Sequence, residues 1–145
     1  VLRLYLDVEA LRFSASFHYE LQGNTHIDPS LINIPPMLVQ PFVENAIWHG
    51  LLHKQGERLV KITFTSDDDY LYVNIEDNGI GRAKATEYNT FHSKDHNSLG
   101  MKLIDERLVV WNETQPNRIT CQVEDLYDNL GNPAGTRIAM SLPLL

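Results

Sequence analysis

The chain has 145 residues, 43% hydrophobic and 21% charged, an ordinary globular mixture that excludes intrinsic disorder and collagen-like repeats. Its net charge of −7 excludes a general nucleic-acid binder but not a nucleotide site, because a few backbone N–H groups and one metal ion can handle phosphates locally. The single cysteine, Cys121, excludes an internal disulfide and a multi-cysteine zinc site, and no apolar run reaches the length of a membrane span.

Val1–Arg12 reads as a helix on its Leu, Glu, Ala and Arg content, although its apolar spacing fits periods of 2 and 3.6 equally. From Phe13 the alternation becomes strict, with Phe13, Ala15, Phe17, Tyr19 and Leu21 against Ser14, Ser16, His18 and Glu20, which predicts a half-buried strand. Gln22–Asn33, with Gly23, Asn24 and Pro29, reads as a loop. A helix follows from about Pro36 to Leu52. Leu38, Val39, Phe42, Val43, Ala46, Ile47 and Leu51 share its apolar arc, and Glu44, Asn45, Trp48 and His49 lie opposite. Pro41 is expected to bend this helix or to mark its true start.

Leu59–Ser66 and Tyr70–Glu76 alternate as strands joined by a hairpin turn at Asp67-Asp68-Asp69. Gly79 to Asn97 is a long polar loop of the kind that serves as a lid or binding segment. Ser98 to about Asn112 is a third helix with Met101, Ile104, Leu108 and Trp111 on one face and Ser98 as its N-cap. Two strands close the chain, the first alternating at Ile119, Cys121 and Val123, the second at Thr136, Ile138, Met140 and Leu142. This order predicts an α/β protein, a two-layer sandwich with a mostly antiparallel mixed sheet and helices on one face.

Three segments carry chemistry. Asn45, on the polar face of its helix, can offer a carbonyl oxygen to Mg²⁺, an ion that prefers a few oxygen ligands plus substrate phosphates, although a solvated helix face looks the same. Asp77-Asn78-Gly79-Ile80-Gly81 follows a strand. A carboxylate there can accept the exocyclic amine of adenine, and Gly79 and Gly81 permit close backbone approach, but Asp-Asn-Gly is also ordinary turn chemistry. Ser98-Leu99-Gly100-Met101 opens a helix whose free N–H groups and positive dipole end form an anion site, or a plain N-cap.

In this order and spacing the three segments resemble the N-box, G1 box and G2 box of the GHKL ATPase/kinase superfamily, whose fold is the Bergerat ATP-binding fold. Leu4–Phe13, the run Ile34-Pro35-Pro36-Met37-Leu38-Val39-Gln40-Pro41-Phe42-Val43-Glu44-Asn45-Ala46-Ile47 with His49-Gly50, and Ser98–Met101 with Glu106-Arg107-Leu108 narrow the likeness. They resemble the C-terminal catalytic part of LytS-type sensor histidine kinases. The resemblance implies a protein histidine kinase of two-component signalling that uses ATP with Mg²⁺ and transfers the γ-phosphoryl group to a histidine outside this chain. It implies that Asn45 ligates Mg²⁺, that Asp77 reads adenine with help from Thr136 in Gly135-Thr136, and that Gly79, Gly81 and Gly100 border the nucleotide. Glu44, catalytic together with Asn45, would orient that Mg²⁺ ligand or a water, and His49, Ser98 and Leu99 would complete the nucleotide-binding set. Arg82–Asn97 would be the ATP lid, mobile without nucleotide.

The same likeness makes residues 1–12 the end of an upstream dimerisation and phosphoacceptor region and 13–145 the ATP-binding domain. Val1 in place of Met agrees with a piece of a longer protein. The expected partners are the upstream phosphoacceptor histidine region and a response regulator, with no nucleic acid. The expected setting is the cytoplasmic part of a membrane-anchored, homodimeric inner-membrane protein.

The chain departs from the pattern at four points. Trp48 stands where a Lys or Arg usually precedes His-Gly, leaving Lys84 or Lys94 as replacement cations. His96 and Ser98 replace two glycines of the G2 box. Pro41 occupies the position where ATP-hydrolysing relatives carry a general base, which argues for transfer over hydrolysis. The Asn-Pro-His-Phe run around the acceptor histidine is absent. The alternative reading is a degenerate GHKL nucleotide-binding or interaction domain without kinase activity. His49 and His53 have zinc-like spacing but lack the Glu of a metalloprotease motif. Asn112-Glu113-Thr114 is a glycosylation sequon by chance.

Overall fold

The computed structural model describes residues 2–13, 16–24, 38–84 and 98–144, the side chains at 2, 24 and 98–102 excepted. Helix α1 is Leu2–Phe13 and strand β1 is Phe17–Asn24. Helix α2, Gln40–Asn45, continues into a π-helical turn, Ala46–Leu51. Then come β2 (Arg58–Ser66), β3 (Tyr70–Asp77), α3 (Ser98–Thr114), β4 (Thr120–Tyr127) and β5 (Pro133–Pro143).

The five strands form one sheet in the order β1-β2-β3-β5-β4. β1 runs parallel to β2 and the other neighbours are antiparallel, so the sheet is mixed as expected. The period-2 pattern fixes the register, because a slip by one residue would turn each apolar set outward. Ile62 lies opposite Ile75, and Ile75 opposite Ile138. This face meets Phe42, Val43, Ile47 and Leu51 from α2 and its π turn and Ile104 from α3 in one continuous core. The other face is polar, with Arg137 bridging Glu76 and Glu124 across three strands. One apolar and one polar sheet face give two layers.

Three expectations shift. Phe13 stays helical, and the strand begins at Phe17 instead of Phe13. The Ser16 hydroxyl donates to the Phe13 carbonyl at the helix end, Phe13 stacks on Phe17 at 5.6 Å, and the Arg58 guanidinium lies over the Phe13 ring at 5.5 Å. Those tertiary contacts outweigh the alternation, part of which (14 and 15) falls outside the described residues. Second, Gln22, Gly23 and Asn24 belong to β1, because they pair with Thr63, Phe64 and Thr65 on a long neighbouring strand. Third, α2 begins at Gln40, with Pro41 in its first turn, where a missing N–H costs nothing. The expected start at Pro36 lies outside the described residues, as do 85–97 of the long loop.

Helix α3 turns three residues of its expected face inward: Ile104 is buried, and Leu108 and Trp111 are partly buried against the core, while the side chain of Met101 lies outside the description. Its end is tied to β4 by the Asn112 amide, which donates to the Ile119 carbonyl at 3.0 Å and accepts the Ile119 N–H at 2.8 Å. The side chain of the chance sequon therefore holds the fold together.

Candidate functional site

A cavity of about 170 Å³ opens where β3 ends and β5 begins, between the sheet and the π turn. Asn45, Ala46, His49 and Gly50 line it from the helix side. Asp77, Val123, Thr136 and Ile138 line it from the sheet, and Gly81 and Arg82 from the segment that follows β3.

Asp77 is the last residue of β3 and is 5% exposed. Alternation along β3 turns Leu71, Val73, Ile75 and Asp77 toward the helices, so a carboxylate occupies the place where the pattern would put another core residue. Its Oδ1 accepts the Gly79 N–H at 2.9 Å, and a backbone N–H of Thr136, its cross-strand partner, also points at the carboxylate. Burial pushes the carboxyl up to about 6, against the lowering effect of those two N–H groups. A buried carboxylate this costly is retained where an incoming donor can satisfy its remaining lone pairs.

The helix side reaches this carboxylate through glycine. The Leu52 N–H bonds to the Ile47 carbonyl at 3.0 Å, the i−5 bond of a π turn, a feature frequent at functional sites. Gly50 sits in that turn directly over Asp77, where a Cβ would stand 2.6 Å from Oδ1. Gly79 packs on the Gly50 backbone so closely that a Cβ there would overlap the Gly50 carbonyl, and the Ile80 N–H donates to that carbonyl at 2.9 Å. Gly135, at φ +129°, takes a conformation closed to other residues, and a Cβ there would overlap the Asp77 carbonyl oxygen. Asn78 anchors the turn from the other side: its Oδ1 accepts the Leu59 N–H at 2.8 Å and its Nδ2 donates to the Glu57 carbonyl at 3.2 Å.

The structure thus brings Asn45, His49, Asp77, Gly81 and Thr136 around one space. Gly79 supports Asp77 from behind and is not on the cavity wall. Glu44 is also off the wall, its Oε1 accepting a 3.0 Å bond from the Gln40 amide. Ser98, Leu99 and Gly100 form the first turn of α3, with side chains outside the description. Trp48 does not line the cavity: the Arg12 guanidinium of α1 lies over its ring at 4.8 Å. Beside it, the Tyr5 hydroxyl is pushed up to about 12, by burial first and by the carboxylates of Glu9 and Glu44 next.

Sequence reasoning missed Gly50, Val123, Ile138 and the pairing of Arg82 with Asp125. The alternation at Cys121 and Val123, extended by two, would have placed Asp125 on the inward face of β4. Nothing local could have shown that Gly50 approaches Asp77.

Among the described residues, no three His, Cys, Asp or Glu side chains converge to hold a metal ion. A neutral amide at Asn45 suits instead an ion that brings most of its ligands as phosphate and water oxygens, which is how Mg²⁺ binds. The donor set therefore fits Mg²⁺ arriving with a phosphate ligand.

No protein-family model matches the chain. It is 32% identical over 110 residues to the uncharacterised protein YwpD of Bacillus subtilis, spanning 74% of this chain and 38% of that protein. It is 36% identical over 80 residues to the sensor protein LytS of Bacillus subtilis, spanning 55% of this chain and 13% of LytS. The chain thus covers well under two thirds of these relatives. The catalytic domain of the histidine kinase ThkA, in a nucleotide-free form, superposes with a TM-score of 0.63 at 11% identity over 98% of this chain and 88% of that one, which establishes a shared fold. By sequence the chain is similar to LytS-type sensor proteins, and by fold it is similar to the catalytic domains of histidine kinases.

Proposed function

We propose that the chain binds ATP with Mg²⁺ in the Asp77 cavity and presents the γ-phosphate to a histidine outside residues 1–145. The observation that carries this reading is the buried Asp77 carboxylate lining the same cavity as Asn45. The carboxylate accepts the adenine amine, with Thr136 beside it. The Asn45 carbonyl holds the ion, which when bound neutralises phosphate charge. The first turn of α3, Ser98-Leu99-Gly100, offers backbone N–H groups to the phosphates. His49 borders the same space from the π turn. Glu44 acts through its neighbour Asn45, because Gln40 holds it on the helix surface.

Phosphoryl transfer asks a protein mainly for positioning and electrostatic support, and these residues supply both. Pro41, in the first turn of α2, provides no base to activate water, which favours transfer over hydrolysis. The proposed partners are an upstream phosphoacceptor histidine region of the same protein and a response regulator. The proposed setting is the cytoplasmic side of a membrane-anchored homodimer. No helix among the described residues is long and apolar enough to cross a membrane.

Calorimetric titration with Mg²⁺ and a non-hydrolysable ATP analogue tests the binding half. Measurable affinity that falls at least several-fold in Asp77→Asn is expected; no binding at millimolar analogue would leave the degenerate-domain reading. Incubating the full-length protein with γ-labelled ATP tests the transfer half. Label should appear on a histidine outside residues 1–145, and stable label inside them would overturn the assignment.

A further inference from the structure

The π turn that carries Gly50 over Asp77 spans Ala46–Leu51. Such a turn is rare in isolation, because the same chain prefers α-helical spacing, so it persists where tertiary contacts hold it. One side chain supplies such a contact at its C-terminal end. Leu51 is the last residue of the turn, where carbonyls lack intrahelical partners. The Arg58 Nε donates to the Leu51 carbonyl at 2.8 Å, beside the Lys54 N–H at 3.1 Å. A cation there also suits the negative end of the helix dipole.

The same guanidinium grips the end of α1. Its Nη1 donates to Ser16 Oγ at 2.7 Å, and the Ser16 hydroxyl donates to the Phe13 carbonyl at 3.3 Å. Its carbon lies 5.5 Å from the centre of the Phe13 ring. Phe13 is the last residue of α1, and Phe17, on which it stacks, is the partner of Arg58 in the parallel pair of β1 and β2. Arg58 does not line the cavity. A planar, forked cation suits this place: one nitrogen reaches the π turn, another reaches Ser16, and the face covers a ring.

Chain connectivity carries the effect to the site. Leu51 follows Gly50, whose carbonyl accepts the Ile80 N–H at 2.9 Å. A Cβ on Gly50 would stand 2.6 Å from Asp77 Oδ1, so the backbone there has little room to shift without disturbing the carboxylate. His49 and Gly50 of the turn, with Asn45 just before it, form the helix wall of the cavity. What holds Leu51 therefore sets that wall against Asp77.

We propose that Arg58 is a positioning residue for the nucleotide cavity, pinning the π turn over Asp77 and tying that position to the end of α1. The inference rests on the reading of the cavity as a nucleotide site.

Ligand-observed NMR titrations with adenosine and with the non-hydrolysable ATP analogue plus Mg²⁺, together with amide hydrogen exchange, test this on wild type, Arg58→Ala, Arg58→Lys and Ser16→Ala. Arg58→Ala is expected to weaken both ligands by a similar factor, about fivefold, the scale of one lost hydrogen bond. Exchange should quicken at the Leu52 and Ile80 amides and stay as in wild type in the middle of β3. Arg58→Lys keeps a cation for the Leu51 carbonyl and should recover part of both losses. Ser16→Ala spares the Leu51 bond and should weaken binding less than Arg58→Ala. The last two variants carry the same comparison if Arg58→Ala fails to fold. Wild-type affinity and exchange in the Arg58 variants would overturn the proposal. So would exchange that quickens equally in β3 without rescue by lysine, the sign of a general loss of stability. A salt-dependent loss confined to the analogue would make Arg58 a phosphate contact and overturn it as well. Absence of binding by wild type, seen without any substitution, would overturn the nucleotide reading and this inference with it.

Discussion

β3 is flanked by two aspartates that look alike in sequence and behave in opposite ways. Asp67 stands in the turn before the strand, and Asp77 is its last residue. Each carboxylate takes a backbone N–H from two residues ahead, Asp69 in one case and Gly79 in the other, both at 2.9 Å. Each takes a second backbone N–H, from Tyr70 and Thr136 respectively. Yet Asp67 is held below the usual carboxylate range, first by the Tyr72 hydroxyl and then by those backbone donors, while Asp77 is pushed up to about 6 by burial. Hydrogen bonding to a turn is thus no mark of a site. What separates the two is that one carboxylate lies in water and the other under Gly50 beside a cavity.

The contrast breaks most severely at Gly50. Gly50→Ala drives a Cβ against Asp77 Oδ1 and forces the π turn or the carboxylate to move. A loss of about 1–3 kcal/mol in unfolding free energy is expected, as for other overpacked interiors, with analogue binding falling below detection. Wild-type affinity in a folded Gly50→Ala variant would show that Asp77 is not held where it must be to bind.

Asp77→Asn comes next. Replacing an acceptor-only carboxylate by an amide should lower affinity for the ATP analogue at least several-fold, on the scale of about 1–3 kcal/mol for a buried polar group that loses its partner. The fold should remain intact in circular dichroism. Asp67→Asn, the matched control, should leave affinity untouched and lower the melting temperature slightly. Equal effects of the two on binding would mean that Asp77 is a turn residue only.

The two aspartates should also give opposite pH signatures. Asp77 is raised from 3.8 to about 6, so the folded state binds its proton more tightly than the unfolded state. Its contribution to stability is complete below about pH 4 and is lost as pH rises through about 6. Asp67 is lowered, so its contribution is present above about pH 4 and lost as pH falls below that. Thermal melts of wild type and the two Asn variants between pH 3 and 8 should separate these trends. Analogue affinity should weaken as pH falls below 6, when Asp77 protonates, and this dependence should vanish in Asp77→Asn.

The smallest effect is expected at Trp48. Its ring lies under Arg12 and off the cavity wall, so Trp48→Ala should cost about 0.5–1 kcal/mol of cation–aromatic contact and leave nucleotide affinity within about twofold. A large affinity loss would show that α1 is coupled to the site through this contact.

Much of the architecture was legible because periodicity is local. The strands around Ile62, Val73 and Ile138 and the α3 face of Ile104, Leu108 and Trp111 are written in alternation and helical spacing. The strand start at Phe17 was not, because Phe13 remains helical through contacts with Phe17 and Arg58, the latter far along the chain. At the site, the family resemblance singled out Asn45, His49, Asp77, Gly81 and Thr136, all now found around one cavity. That Arg12 of α1 would cover the Trp48 ring was not legible, since a helical face does not reveal which neighbour will pack on it.

The sequence by itself determined the period of each element, the glycines that permit close approach and the carboxylate available at the end of β3. Tertiary structure alone decided that Asp77 is buried, that Gly50 lies over it, and that Asp125 joins the row of Asp77 and Thr136 to hold Arg82. The physical reason is that burial and cross-strand register depend on segments distant in the chain. A carboxyl group responds to the dielectric around it, and that environment exists only once the sheet and the π turn have closed upon it.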